Sequence, residues 1–179
     1  MKDTFHPPHP PLILASSSPY RREVLSRLGV EFGSVSPEID ESRRDGESPG
    51  ELVRRLAEEK ADAIAATHPK ALIIGSDQVA TLGNQVLGKP GNHEQAVEQL
   101  KVASGKRVTF LTGLCLLNSE SGRRQVSCEA FHVEFRNLTD EEIERYLQKE
   151  QPYNCAGSFK SEGLGCLLYT SDAADDETS

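Results

Sequence analysis

The stretch that most constrains this chain is Leu72-Ile73-Ile74-Gly75-Ser76-Asp77-Gln78-Val79. A short apolar, β-branched run reads as a buried strand, and this one stops at a glycine, a serine and a carboxylate. Open α/β sheets usually hold their ligands beyond the carboxyl ends of such strands, which makes Asp77 a candidate site residue. An isolated Gly-Ser-Asp reads first as a solvated turn. The weight has to come from the rest of the chain.

Leu12–Ala15 reads as a first strand, followed by Ser16-Ser17-Ser18-Pro19-Tyr20-Arg21 and then Val24, Leu25 and Leu28 at helical spacing. Ser18 as N-cap with Pro19 at the first helical position marks a helix start. A serine-rich turn at a helix N-terminus can bind an anion, with Arg21 one turn in as a charge-assisted clamp. The plain alternative is a capped surface helix. Residues 32–35 suggest a short strand leading to Pro37-Glu38-Ile39-Asp40-Glu41. In an extended segment Glu38 and Asp40 share a face, where two carboxylates can hold a divalent cation. A solvated acidic loop is the commoner outcome.

Ser48-Pro49-Gly50-Glu51 is a capping box that opens a long helix with Leu52, Leu56, Ala57, Ala61 and Ile64 on one stripe. Lys60 lies on the same stripe, and an inward lysine costs desolvation unless it meets an anion. After Asp77, residues 79–82 and 86–87 read as a hairpin about Gly83-Asn84-Gln85, and Gly88-Lys89-Pro90 puts a second lysine on a tight loop. A helix over 91–104 follows, with Ala96, Val97, Leu100 and Val102 or Ala103 inward. Two long strands over 108–117 and 125–135 come next, the first broken near Thr112-Gly113 by a bulge or a close approach. Thr139 to Glu142 caps a further helix, and a glycine-rich loop over 155–165, carrying Lys160 and Glu162, heads toward another strand.

The 179 residues suit one domain. Residues 1–11 read as a flexible tail without a signal-peptide core, and no run reaches the roughly 18 apolar residues of a membrane span. The four cysteines form no Cys-x-x-Cys pair and read as thiols of a reducing compartment, so a cytoplasmic protein is expected. The net charge of −8, with 20 dispersed Lys and Arg, argues against a nucleic-acid surface. Residues 166–179 break the character of the sequence and back-translate to a transposon-end sequencing adapter. On that reading the native domain covers 12–165, its last strand and helix are missing, and its charge is −4 once Asp172, Asp175, Asp176 and Glu177 are set aside from the −8.

Carboxylates at Glu38, Asp40 and Asp77 with cations at Arg21, Lys60, Lys89 and Lys160 are the equipment of phosphoryl chemistry. No Gly-x-x-x-x-Gly-Lys-[Ser/Thr] loop or Gly-x-Ser-x-Gly elbow occurs, which argues against a P-loop NTPase and against acyl transfer.

The segments Leu-Ala-Ser-Ser-Ser-Pro-Tyr-Arg at 14–21, Pro-Glu-Ile-Asp-Glu at 37–41, Glu59-Lys60, Ile-Gly-Ser-Asp-Gln at 74–78, Gly-Lys-Pro at 88–90 and Ala-Gly-Ser-Phe-Lys-Ser-Glu-Gly at 156–163 resemble, in order, the Maf-like nucleoside triphosphate pyrophosphatases. The resemblance runs from Leu12 to Gly165. It implies a single elongated α/β domain of the Maf/ITPase kind, with a mixed curved sheet flanked by helices and a cleft between two lobes. It implies hydrolysis between the α and β phosphates with Mg2+ or Mn2+, Asp77 as proton acceptor, and Ser16, Arg21, Glu38, Asp40, Lys60 and Lys89 at the other active-site positions. Ser18 joins the phosphate side as the helix cap. Tyr20, Gln78 and Glu162 fall on the specificity positions and look like the branch acting on 7-methyl-GTP: an aromatic can stack on a cationic base, and a carboxylate can accept from the guanine edge. The resemblance also suggests a homodimer. The alternatives are the dTTP/UTP branch of the same family and a nucleotide-binding division regulator without turnover.

Overall fold

The computed structural model describes residues 9–160 and 163–169. The chain is α/β. In order it forms β1 (Leu12–Ala15), α1 (Pro19–Ser26), β2 (Gly33–Val35), α2 (Pro49–Ala65), β3 (Leu72–Leu82), β4 (Gln85–Leu87), α3 (His93–Ala103), β5 (Arg107–Asn118), β6 (Arg124–Glu134) and α4 (Asp140–Glu150). The strand order is β2-β1-β3-β5-β6, with β4 on β3. The sheet is mixed: β1 runs parallel to β2 and β3, while β4 is antiparallel to β3.

The helix starts follow from local chemistry. Ser18 Oγ accepts from Arg21 N–H, and both capping boxes form, Ser48 with Glu51 and Thr139 with Glu142. The helix over 93–103 begins two residues later than the sequence suggests, because Asn92 caps it through Gln95 N–H.

The chain divides into two compact units. One comprises the described residues up to Asp77 and Thr112–Glu129, with a core including Ile13, Ala15, Ala57, Ala61, Ile64 and Ile73. The other comprises Gln78–Leu111 and the described residues from Ala130 onward, with a core including Leu100, Phe110, Ile143, Leu147 and Phe159.

Four expectations change. The strand through Asp77 does not stop at Gly75; β3 continues to Leu82, so Asp77 sits mid-strand. Gly75 serves a different purpose, since a Cβ there would collide with the Ala57 carbonyl of α2. Gly113 likewise leaves β5 unbroken and makes room for the Val53 carbonyl. Helix α1 buries none of its residues, and Val24 and Leu28 are 51% and 71% exposed. The described residues of 155–160 and 163–169 include two 3-10 turns, Ala156–Ser158 and Leu164–Leu167, where a strand is expected; Tyr169 then makes one bridge to Phe135. On the C-terminal side of Gly165, Leu168 is buried in the second core and Tyr169 packs against it.

Candidate functional site

In the first unit the site grows from α2 and β3. The 3.6-residue stripe of α2 turns Lys60 inward among Leu56, Ala57 and Ile64, where its side chain is buried. Its ammonium reaches Asp77 Oδ1 at 2.7 Å and Glu41 Oε1 at 2.8 Å. Asp77 is 8% exposed and Lys60 5%, so the pair is held in a largely dry setting with the more exposed Glu41 at its rim. Glu41 is the residue that sequence reasoning passed over. It stands in the Pro37–Glu41 run beside the two carboxylates singled out there, and its only distinguishing signal is a partner 19 positions away.

Arg21 stands close enough to Asp77 and Glu41 for both carboxylates to act on it. Burial lowers its proton affinity from the ordinary value, and those two carboxylates oppose the change. An arginine stays charged through such a shift, so the group remains a cation. The turn before it is tightly tied: Ser16 is buried, its Oγ accepts from Ser18 N–H at 3.1 Å, and its carbonyl accepts from Ser34 Oγ at 2.7 Å. Tyr20 is half-buried at the start of α1.

Glu38 and Asp40 are both exposed. Asp40 Oδ1 accepts from Ser42 N–H at 2.9 Å, and bonding to the Ser42 hydroxyl and N–H holds its carboxyl below the usual range. The loop after them is anchored by Arg55, whose guanidinium binds Glu47 through two nitrogens at 2.6 and 2.9 Å, Glu59 at 3.0 Å and the Ser42 carbonyl at 3.0 Å. The structure therefore gathers Arg21, Glu41, Lys60 and Asp77 and leaves Glu38 and Asp40 on the solvent side. Among the described residues no three His, Cys, Asp or Glu side chains cluster as a metal site.

In the second unit Gln78 is exposed on β3 and Lys89 is exposed on the loop before α3. Lys160 Nζ pairs with Glu150 at 3.0 Å, and that bond lowers the proton affinity of Glu150. Glu162 lies outside the described residues.

A family model described as Maf-like protein matches residues 11–179. The chain belongs to the Maf family. Among relatives of this Maf chain, a protein named 7-methyl-GTP pyrophosphatase from Alcanivorax borkumensis is 64% identical over 89% of this chain and 81% of its own length. Proteins of the same name from Pseudomonas fluorescens and Pseudomonas aeruginosa are 62% and 59% identical, over 94% and 95% of this chain and 88% of each relative. The solved Staphylococcus aureus Ham1 protein overlaps the Maf chain at TM-score 0.43 with 14% identity, over 69% of this chain and 71% of that one, too slight a likeness to bear on the fold. Among the described residues of this Maf chain, no helix is long and apolar enough to cross a membrane.

Proposed function

We propose that this chain is a nucleoside triphosphate pyrophosphatase that hydrolyses 7-methyl-GTP to 7-methyl-GMP and diphosphate, clearing a modified nucleotide. The observation that carries the reaction class is the buried Lys60 ammonium held between Asp77 and Glu41. The substrate follows from relatives about 60% identical that bear the name.

In the proposed reaction a water oxygen bonds to phosphorus as a P–O bond of the α–β bridge breaks, and diphosphate departs. Asp77 accepts the water's proton, and Lys60 holds that carboxylate in one orientation. Arg21 and Lys89 bind phosphate oxygens, with Ser16 and Ser18 shaping the turn at the start of α1. Tyr20 stacks on the methylated base, whose positive charge favours an aromatic face, while Gln78 and Glu162 read its edge.

The donor set fits Mg2+ or Mn2+. The carboxylates of Glu38 and Asp40 are hard oxygen ligands on the solvent side, whereas Glu41 and Asp77 are engaged by Lys60. One or two of them suffice, because Mg2+ commonly completes its shell with substrate phosphates and water. Glu38 and Asp40 are the residues proposed to hold it. When bound, the cation neutralises charge on the polyphosphate.

The test is diphosphate release from 7-methyl-GTP, GTP, dTTP and UTP with Mg2+, Mn2+ or EDTA. Metal-dependent preference for 7-methyl-GTP is expected. Preference for dTTP and UTP would keep the chemistry and overturn the substrate, and no release by folded protein would leave a nucleotide-binding module.

A further inference from the structure

The second unit contains a junction that the reaction as described leaves unused. The Gly88 carbonyl, one residue before Lys89, accepts two hydrogen bonds: from Gln99 Nε2 at 3.0 Å and from Gly157 N–H at 3.2 Å. Gln99 Oε1 in turn accepts from the Ser158 hydroxyl at 2.6 Å. The direction of this chain is forced. A backbone carbonyl can only accept, so the amide nitrogen of Gln99 must face Gly88, and its oxygen must face a hydroxyl that donates.

The far side of the junction is strained. Gly157 and Ser158 both take left-handed backbone angles, φ 63° and φ 56°. Ser158 is 0% exposed and is not a glycine, a conformation that persists only where its surroundings over-determine it. Tyr146 supplies part of that restraint, donating to the Ser158 carbonyl at 3.1 Å and accepting from Lys160 N–H at 3.0 Å. Gly157 itself is closely packed, since a Cβ there would lie 2.9 Å from Ala80 Cβ. One turn of α3 therefore presents a single amide that ties the Lys89 loop to a rigid, buried turn.

We propose that Gln99 is a positioning residue for Lys89: its amide fixes the Gly88-Lys89-Pro90 loop against the Ala156–Ser158 turn and so sets where the Lys89 ammonium meets a polyphosphate. This rests on the reading of Lys89 as a phosphate-binding cation.

The experiment is a double-mutant cycle of Gln99→Leu and Lys89→Ala, read as kcat/KM for 7-methyl-GTP and, separately, as Kd for inorganic tripolyphosphate by calorimetry. With Lys89 present, Gln99→Leu is expected to weaken both about tenfold or more; with Lys89→Ala in place, it should change them less than about twofold. Equal effects in both backgrounds would assign Gln99 a merely structural role and overturn the proposal. No effect of Gln99→Leu in the Lys89 background would overturn it as well. If Gln99→Leu does not fold, Ser158→Ala removes the other partner of the same amide and is expected to show the same dependence on Lys89. Absence of turnover in the unaltered protein would strike the proposed function, while the tripolyphosphate cycle would still decide the role of Gln99.

Discussion

A buried ammonium needs anions beside it, and Lys60 has two. Replacing it by Met would leave Asp77 largely buried without its bonded ammonium, with Arg21 as the remaining nearby cation. Lys60→Met is therefore expected to lower stability by about 3 kcal/mol, seen as a shifted urea midpoint at constant slope. Asp77→Asn keeps a similar shape and an acceptor for Lys60 but cannot take a proton. It should retain nucleotide binding in calorimetry while turnover falls roughly 10²- to 10⁴-fold. Unchanged turnover in this variant would remove Asp77 from its proposed role. At this scale the sequence was partly legible. The α2 stripe alone shows Lys60 pointing inward, because helical periodicity is local. It cannot show that Glu41 folds back onto Lys60, because that contact depends on the path of the loop between β2 and α2.

Two elements carry the first unit, and their fit is tight. Gly75 of β3 passes so close to the Ala57 carbonyl of α2 that no side chain fits. Gly75→Ala must push helix and strand apart, and a loss of about 1–3 kcal/mol is expected in chemical denaturation. A second prediction concerns the loop tied to α2 by Arg55. Its two-nitrogen grip lowers the Glu47 carboxyl from 4.5 to about 2. A carboxyl with a depressed folded-state value stabilises the fold above its unfolded value and loses that contribution as pH falls through the folded one. The stability gap between wild type and Arg55→Gln should thus be full above about pH 4.5 and narrow as pH falls toward about 2, the bond to the Ser42 carbonyl keeping a part that does not titrate. A gap that stays constant across that window in pH-dependent urea melts would show that this ion pair is not its source. Element starts were legible, since the Ser18, Ser48 and Thr139 caps act within four residues. The reason for Gly75 was not: a glycine in an apolar run looks the same whether it ends a strand or admits a helix.

At the scale of the whole molecule, the formal charge of −8 with dispersed basic residues sets the long-range field. No counterion-release gain on duplex DNA is expected from such a surface, so fluorescence anisotropy should show no binding near 50 mM salt, where phosphate-contacting proteins bind well. Salt-sensitive binding there would reveal a basic face that the composition conceals.

Caps, apolar periodicity and turn residues act between near neighbours, so the sequence by itself determined where most helices and strands lie and that Lys60 faces inward. Tertiary structure decided which groups meet: Glu41 and Asp77 on Lys60, the α2 carbonyl over Gly75, and the Gln99 amide bridging Gly88 to Ser158. It also decided that Val24 and Leu28 stay exposed although their spacing is helical. The physical reason is distance along the chain. The Lys60, Gly75 and Gln99 contacts join partners 11 to 59 positions apart, and only the packed fold brings them within hydrogen-bonding or van der Waals reach, whereas no described element of the fold covers Val24 and Leu28.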